Sequence, residues 1–154
     1  SKDIGFVRGE LKVGAAISPP LIRAVKKRCP ETDVTILDSP PGTSCPVIET
    51  VRGSDVVVLV TEPTPFGRHD LGLAVDMVRE LSRPLGVVIN RFDIGTDEVE
   101  RYCRERQVPI FGRIPDDRKV AEAYSKGLLI SKVLADYESV FKAILCRILE
   151  GRTP

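Results

Sequence analysis

The sequence predicts an α/β fold, a three-layer sandwich in which helices cover both faces of a mostly parallel sheet. Three observations carry that prediction. Short apolar strand runs alternate with amphipathic helix runs along the whole chain. Two of the strand runs, 55–61 and 85–90, have unbroken apolar stretches, as strands buried on both faces do. The spacing leaves a helix between successive strands, which implies right-handed crossovers. At 154 residues the chain is long enough for one domain with a real core and too short for two.

Each element has its own local reason. Residues 11–16 read as a short strand. Ser18 then offers an N-cap and Pro19 suits the first helical position, with Leu21, Ile22, Ala24 and Val25 as the apolar stripe. Cys29-Pro30 ends that helix, and Lys26, Lys27 and Arg28 read as a solvated helix end that offsets the macrodipole. Residues 34–37, Val-Thr-Ile-Leu, read as a short buried strand running into Asp38, and 47–51 as a short helix. After the strand at 55–61, Thr64-Pro65 opens a helix with Leu71, Ala74, Val75, Val78 and Leu81 on its inner face, stopped by Arg83-Pro84. The 85–90 strand follows. Thr96 caps a charged helix whose inner face is Val99, Tyr102 and Cys103. A last strand spans 108–114, then a short helix 118–126 with Gly127 as its C-terminal turn. The final helix, 131–149, carries Val133, Leu134, Tyr137, Val140, Phe141, Ile144, Leu145, Ile148 and Leu149 at steps of three and four.

Composition narrows the function classes. Lysine plus arginine number 23 against 22 acids, a net charge of +1, so no basic field recommends nucleic acid. The longest apolar run, Val56-Val57-Val58-Leu59-Val60, is far too short to span a bilayer. No run at the amino end reads as a signal peptide. The four cysteines, Cys29, Cys45, Cys103 and Cys146, are widely spaced with no C-x-x-C pair, which argues against a zinc ribbon or an iron–sulfur motif within the chain. Free thiols in a cytoplasmic protein are expected, with Cys29, Cys103 and Cys146 as small buried hydrophobes. His69, with no nucleophile pattern around it, is expected on a helix surface.

In open parallel sheets ligands bind at the carboxyl ends of the strands, so the loops after Leu37, Val60, Ile89 and Ile114 are the places to look. The first is Asp38-Ser39-Pro40-Pro41-Gly42-Thr43-Ser44-Cys45-Pro46. A carboxylate at a strand end can hold magnesium through water, and Gly42 lets backbone approach a phosphate closely. By pattern alone the same loop also reads as a rigid turn capped by an aspartate.

The segment "ILDSPPGTSCPV" resembles the Walker B and switch segment of the MinD/ParA/Mrp group of P-loop ATPases, most of all its ferredoxin-associated MinD-like members. "LKVGAAISPPLIRAVKKR", "VVVLVTEPTPFGRHDLGLAVDMV", "LGVVINRFDIG" and "GRIPDDRKVAEAYSKG" agree with it in order and spacing. The resemblance covers about 9–149 and implies a P-loop NTPase-like fold that takes ATP and magnesium, dimerises or pairs with other chains, and serves a redox or iron–sulfur partner. It gives Asp38 the Walker B role of organising magnesium through water. Pro41 and Gly42 match the switch that senses the γ-phosphate. Asn90 matches the base-reading asparagine, and Pro115 with Asp116 matches the segment beside the adenine. Glu62, in the turn Thr61-Glu62-Pro63-Thr64, is only a weak candidate, since it reads first as an exposed turn residue. Asn90-Arg91-Phe92-Asp93 approximates the N-K-x-D motif of GTPases with arginine for lysine, which makes Asp93 a possible guanine reader and keeps GTP open beside ATP.

The family's phosphate-binding loop, G-x-x-x-x-G-K-[ST], does not occur in this sequence. The expectation is therefore a partial domain, 1–154, without its N-terminal phosphate-loop strand and inactive as an ATPase alone. It would be a piece of a longer protein, a degenerate paralogue or one half of a split protein. The family's ferredoxin-like cysteine insert is absent too, so no cluster is expected in this chain. Without the phosphate-loop strand beside 34–37, strand edges should be exposed. The sheet should then rearrange, pair with another chain (a second copy, or one supplying the missing half), or be filled by the N-terminal strand. The competing readings are a non-hydrolysing interaction module that kept the fold, and a response-regulator-like or flavodoxin-like binding domain. Cys45 beside the loop could join a metal site only if other chains brought further ligands.

Overall fold

The computed structural model describes residues 4–12, 18–130 and 134–150. The chain divides after Ser54 into two compact units.

The first unit is built on two helices. Helix α1, Pro19–Arg28, begins with proline in its first turn and ends at Cys29, whose extended backbone (ψ 128°) is what the following Pro30 requires. Ser18 occupies the N-cap position with helical angles and makes no capping hydrogen bond, so Pro19 rather than the hydroxyl starts the helix. Gly9 lies against Val25 and Leu21 of α1, close enough that a methyl group would collide with them. Helix α2, Cys45–Val51, buries Val47, Thr50 and Val51. Lys26 proves to be more than a solvated helix end. Its ammonium donates to the carbonyls of Glu49, Thr50 and Arg52 at 3.1, 3.0 and 2.6 Å, closing the carboxyl end of α2 with a positive charge.

Two strand expectations change here. Residues 34–37 form no strand: they pair with no other strand among the described residues, and Ile36 is 86% exposed. A parallel strand has no hydrogen bonds of its own, so apolar residues alone do not make one without a neighbouring edge. The predicted strand 11–16 lies mostly outside the described residues, and Leu11 and Lys12 are irregular.

The second unit is a three-layer α/β/α sandwich. Strands β1, Val57–Thr61, β2, Leu85–Asn90, and β3, Ile110–Ile114, form a parallel sheet in the order β1-β2-β3. Helix α3, Pro65–Glu80, and helix α4, Glu98–Glu105, cover one face. There Leu71, Val75, Val99, Tyr102 and Cys103 enclose Val87 and Ile89. The last helix, α6, Ala135–Glu150, covers the other face, setting Ile144 on Val88 and Phe111. The short α5, Arg118–Ser125, precedes it and ends at Gly127 with φ +66°. Thr64 caps α3 by accepting the Gly67 N–H. The start of α4 differs from expectation, because Asp97, not Thr96, is the N-cap, and it makes no side-chain bond. The α6 stripe is only half covered: Tyr137 and Ile144 are buried, while Phe141, Leu145 and Leu149 remain about 40% exposed. The 131–133 part of its predicted span lies outside the described residues. No helix among the described residues is long and apolar enough to cross a membrane.

Two glycines let α6 and Phe111 reach the sheet. The β2–β3 register slips between Val87, opposite Ile110, and Val88, opposite Gly112, leaving Phe111 as a bulge. Phe111 and Gly112 can therefore both serve the α6 face. The Phe111 ring covers Gly86, and Ile144 covers Gly112, each where a Cβ would stand.

Gly86→Ala should consequently destabilise the protein by about 1–3 kcal/mol in urea unfolding, the usual cost of overpacking a close-packed site. Tyr102 supplies the opposite case. Its ring carries the Arg68 guanidinium 4.5 Å above its centroid, and its hydroxyl is buried with no hydrogen-bond partner among the described residues. Tyr102→Phe should keep the ring contacts, remove the orphan hydroxyl and raise stability by about 1 kcal/mol in the same assay.

Candidate functional site

The carboxyl ends of β1, β2 and β3 bring five of the sequence-predicted residues together: Glu62, Asn90, Asp93, Pro115 and Asp116. The turn after β1 is locked from within. Thr61 Oγ1 donates to the Gly67 carbonyl at 3.0 Å, and Thr64 Oγ1 accepts from the Gly67 N–H at 3.0 Å. Gly67 has no room for a Cβ beside the Glu62 carbonyl. Glu62 is thereby held at the head of α3. A groove of about 400 Å³ opens beside it, with Thr61, Glu62, Thr64, Asp70 and Asn90 among its walls.

The turn after β2 is tied to both neighbours. Gly95 packs against the Pro63 carbonyl so closely that no side chain fits. Phe92 N–H donates to the Ile114 carbonyl at 3.1 Å, and Asp93 Oδ1 accepts from the Asp116 N–H at 2.7 Å. Asn90 is half-buried and points its Nδ2 at Glu62 Oε1, 3.4 Å away.

Arg91 joins the three loops. It adopts φ +52°, a left-handed conformation that residues with a Cβ seldom take. From there its Nε donates to Asp116 Oδ1 at 2.7 Å, and Nη1 lies 3.8 Å from Glu62 Oε2. The hydrogen bond and charge of Asp116, helped by Glu62, hold the guanidinium above its usual pKa, so it stays a cation at any working pH. All three groups are about 40–45% exposed, so the pairs position the loops more than they stabilise the fold. Asp117 completes the frame: Oδ1 caps α5 by accepting the Lys119 N–H at 2.8 Å, and Oδ2 accepts from the Tyr137 hydroxyl at 3.4 Å. Burial first, and then Asp117, raise the Tyr137 pKa, keeping it a neutral donor. Sequence reasoning missed Arg91 and Tyr137. The departure from lysine in N-K-x-D was the available signal for Arg91, and Tyr137 carried none beyond its place on the helix stripe.

Asp38, Pro41 and Gly42 belong to the other unit, on an exposed turn. Gly42 has φ +93°, a conformation that favours glycine, and open space where its Cβ would be. Asp38 is a single hard oxygen donor. Among the described residues no three His, Cys, Asp or Glu side chains stand together as a metal site. Its carboxylate fits magnesium only as one ligand beside waters and phosphate oxygens, which is how that ion is usually held.

The cysteines divide. Cys45 and Cys146 are exposed, Cys29 is half-buried, and Cys103 is buried. Cys146 departs from the buried hydrophobe the sequence predicts, because it falls on the open side of α6. His69 is exposed on α3, as expected.

Residues 16–130 match the family described as the CobQ/CobB/MinD/ParA nucleotide binding domain. An uncharacterized protein of Methanocaldococcus jannaschii is 30% identical over 119 residues, covering 77% of this chain and 40% of its own length. An iron-sulfur cluster carrier protein of Pyrococcus furiosus is 30% identical over 115 residues, 65% of this chain and 39% of that protein. Another iron-sulfur cluster carrier protein, from M. jannaschii, is 29% identical over 136 residues, 78% of this chain and 47% of its own length. The chain thus spans less than half the length of these relatives.

The buried thiol gives a pH test. Burial, then the charge of Glu100, push Cys103 up to about 11 from 9.0. The neutral thiol is the favoured folded form, so its contribution is intact below pH 9 and lost as pH rises toward about 11, where the unfolded chain ionises first. Urea unfolding from pH 8 to 11 should show stability falling with pH, and falling less in Cys103→Ala. In the folded protein a disulfide-exchange reagent should modify Cys45 and Cys146 at pH 8 but reach Cys103 only on unfolding.

Proposed function

The chain belongs to the CobQ/CobB/MinD/ParA nucleotide-binding domain family, and we propose that it is the base-binding portion of a MinD/ParA-like ATPase domain. One observation carries the proposal: Asn90 stands at the carboxyl end of the central strand, at the head of a loop that Arg91, Asp93 and Asp116 tie to the loop after β3. An asparagine amide can accept from one position of a purine edge and donate to the next. Pro115 and the backbone of Asp116, in the loop after β3 that Arg91 and Asp93 hold, would face the ring. Asp38 would hold magnesium through water, and Pro41 and Gly42 would line the γ-phosphate. ATP with its magnesium supplies the charged group, and Asn90, Pro115 and Asp116 would bind and orient its base.

Adenine is favoured over guanine because Asp93 already holds the Asp116 N–H, so its carboxylate acts as a loop brace rather than a reader of guanine. No phosphate-binding loop lies within these residues, so the phosphate cradle is assigned to a further segment or to another chain. The relatives named iron-sulfur cluster carrier proteins support a parent protein that serves an iron–sulfur partner. Free thiols support a cytoplasmic setting.

Calorimetric titration with ATP, ADP and GTP in magnesium tests this reading. The expected result is ATP binding in the micromolar range, weakened about ten- to a hundredfold by Asn90→Ala, the scale of a bidentate base contact. Absence of binding at millimolar nucleotide would overturn it and leave a non-hydrolysing interaction module. Tighter GTP than ATP would restore Asp93 as a guanine reader.

A further inference from the structure

We propose that Glu62 is a positioning residue that sets adenine specificity by fixing which way the Asn90 amide faces. The inference rests on the base-binding role given to Asn90 above. It starts from the one asymmetric feature of a carboxamide: one end accepts hydrogen bonds and the other donates them, while the two ends have nearly the same shape. Left to itself, an asparagine at a strand end can present either. Asn90 is not left to itself. Its partner at 3.4 Å is Glu62 Oε1, and an ionised carboxylate can only accept. Nδ2 must therefore face Glu62, and Oδ1 must face away.

The carboxylate is held in place by its surroundings. Arg91 Nη1 lies 3.8 Å from its second oxygen, and the Arg91 guanidinium is anchored on its far side by Asp116. The Glu62 backbone is clamped by the Thr61–Thr64–Gly67 hydrogen bonds and by the close approach of Gly67. Asp70 is the other acid in the groove and also offers no donor that could turn the amide.

The consequence is chemical selectivity. An outward Oδ1 accepts from the exocyclic amine of adenine, while the remaining Nδ2 hydrogen donates to the adjacent ring nitrogen. Guanine presents a carbonyl oxygen where adenine has its amine. Oδ1 would then face an acceptor, with one polar group left unpaired. Glu62 need not touch the nucleotide. It removes the flipped amide, which would have offered a donor to guanine.

The test compares wild type with Glu62→Gln. Glutamine is isosteric but carries both a donor and an acceptor, so either orientation of Asn90 can pair with it. ATP and GTP affinities are measured by calorimetry, with the thermal midpoint as a check on folding. The expected result is an unchanged midpoint and an ATP-over-GTP preference reduced about tenfold, chiefly through tighter GTP binding. An unchanged preference in a protein that binds ATP would overturn the proposal. A second readout needs no nucleotide. In the free protein the side-chain amide resonances of Asn90 should shift between wild type and Glu62→Gln, because the amide then loses its carboxylate acceptor. If wild type binds neither nucleotide, the base-binding role of Asn90 fails by itself. The resonance shift then decides the Glu62 contact, and its absence would sink that too.

Discussion

Burial of β2 on both faces is the constraint from which the rest of the second unit follows. Val87 and Ile89 face α3 and α4, Val88 faces α6, and none of the three is more than 4% exposed. A shift of one residue would exchange the two faces and drive Gly86, which exists to receive the Phe111 ring, into the wrong layer. The strand therefore has one register, and its carboxyl end falls at Asn90. Position at the site is inherited from the core, not from the loops that surround it.

The loops then add what the core cannot. A strand end places a Cα, but the direction of an amide or a carboxylate depends on its partners. Here a single cation serves three loops: Arg91 reaches Asp116 after β3 and Glu62 after β1 from its own place after β2. The positive φ of Arg91 is the local strain that makes this reach possible. Because the groups are partly exposed, their value is geometric. The aspartates that look in the sequence like one acidic cluster divide the work, with Asp93 bracing a backbone N–H, Asp116 anchoring Arg91 and Asp117 capping α5.

Much of this fold was legible because its signals are local or periodic. The β2 bounds, the Thr64-Pro65 start of α3 and the Gly127 turn were all readable, since continuous apolar runs, caps and positive-φ glycines act within a few residues. The failures share a cause. Residues 34–37 have a strand's composition and no strand partner among the described residues. Thr96 is as good a cap as Asp97 by type, and Cys146 lies on the exposed side of α6. Lys26 looked like solvent-facing charge until α2 placed three carbonyls around it.

The sequence by itself determined the α/β class, the order of the second unit's elements, the identity of its strand-end residues and the family the chain belongs to. Tertiary structure alone decided the bulge at Phe111, the meeting of Arg91 with both carboxylates and the direction of the Asn90 amide. The division has a physical reason. Apolar periodicity and capping are written in neighbouring residues, whereas a hydrogen bond between positions 62 and 90 depends on two strands being packed side by side before either partner can find the other.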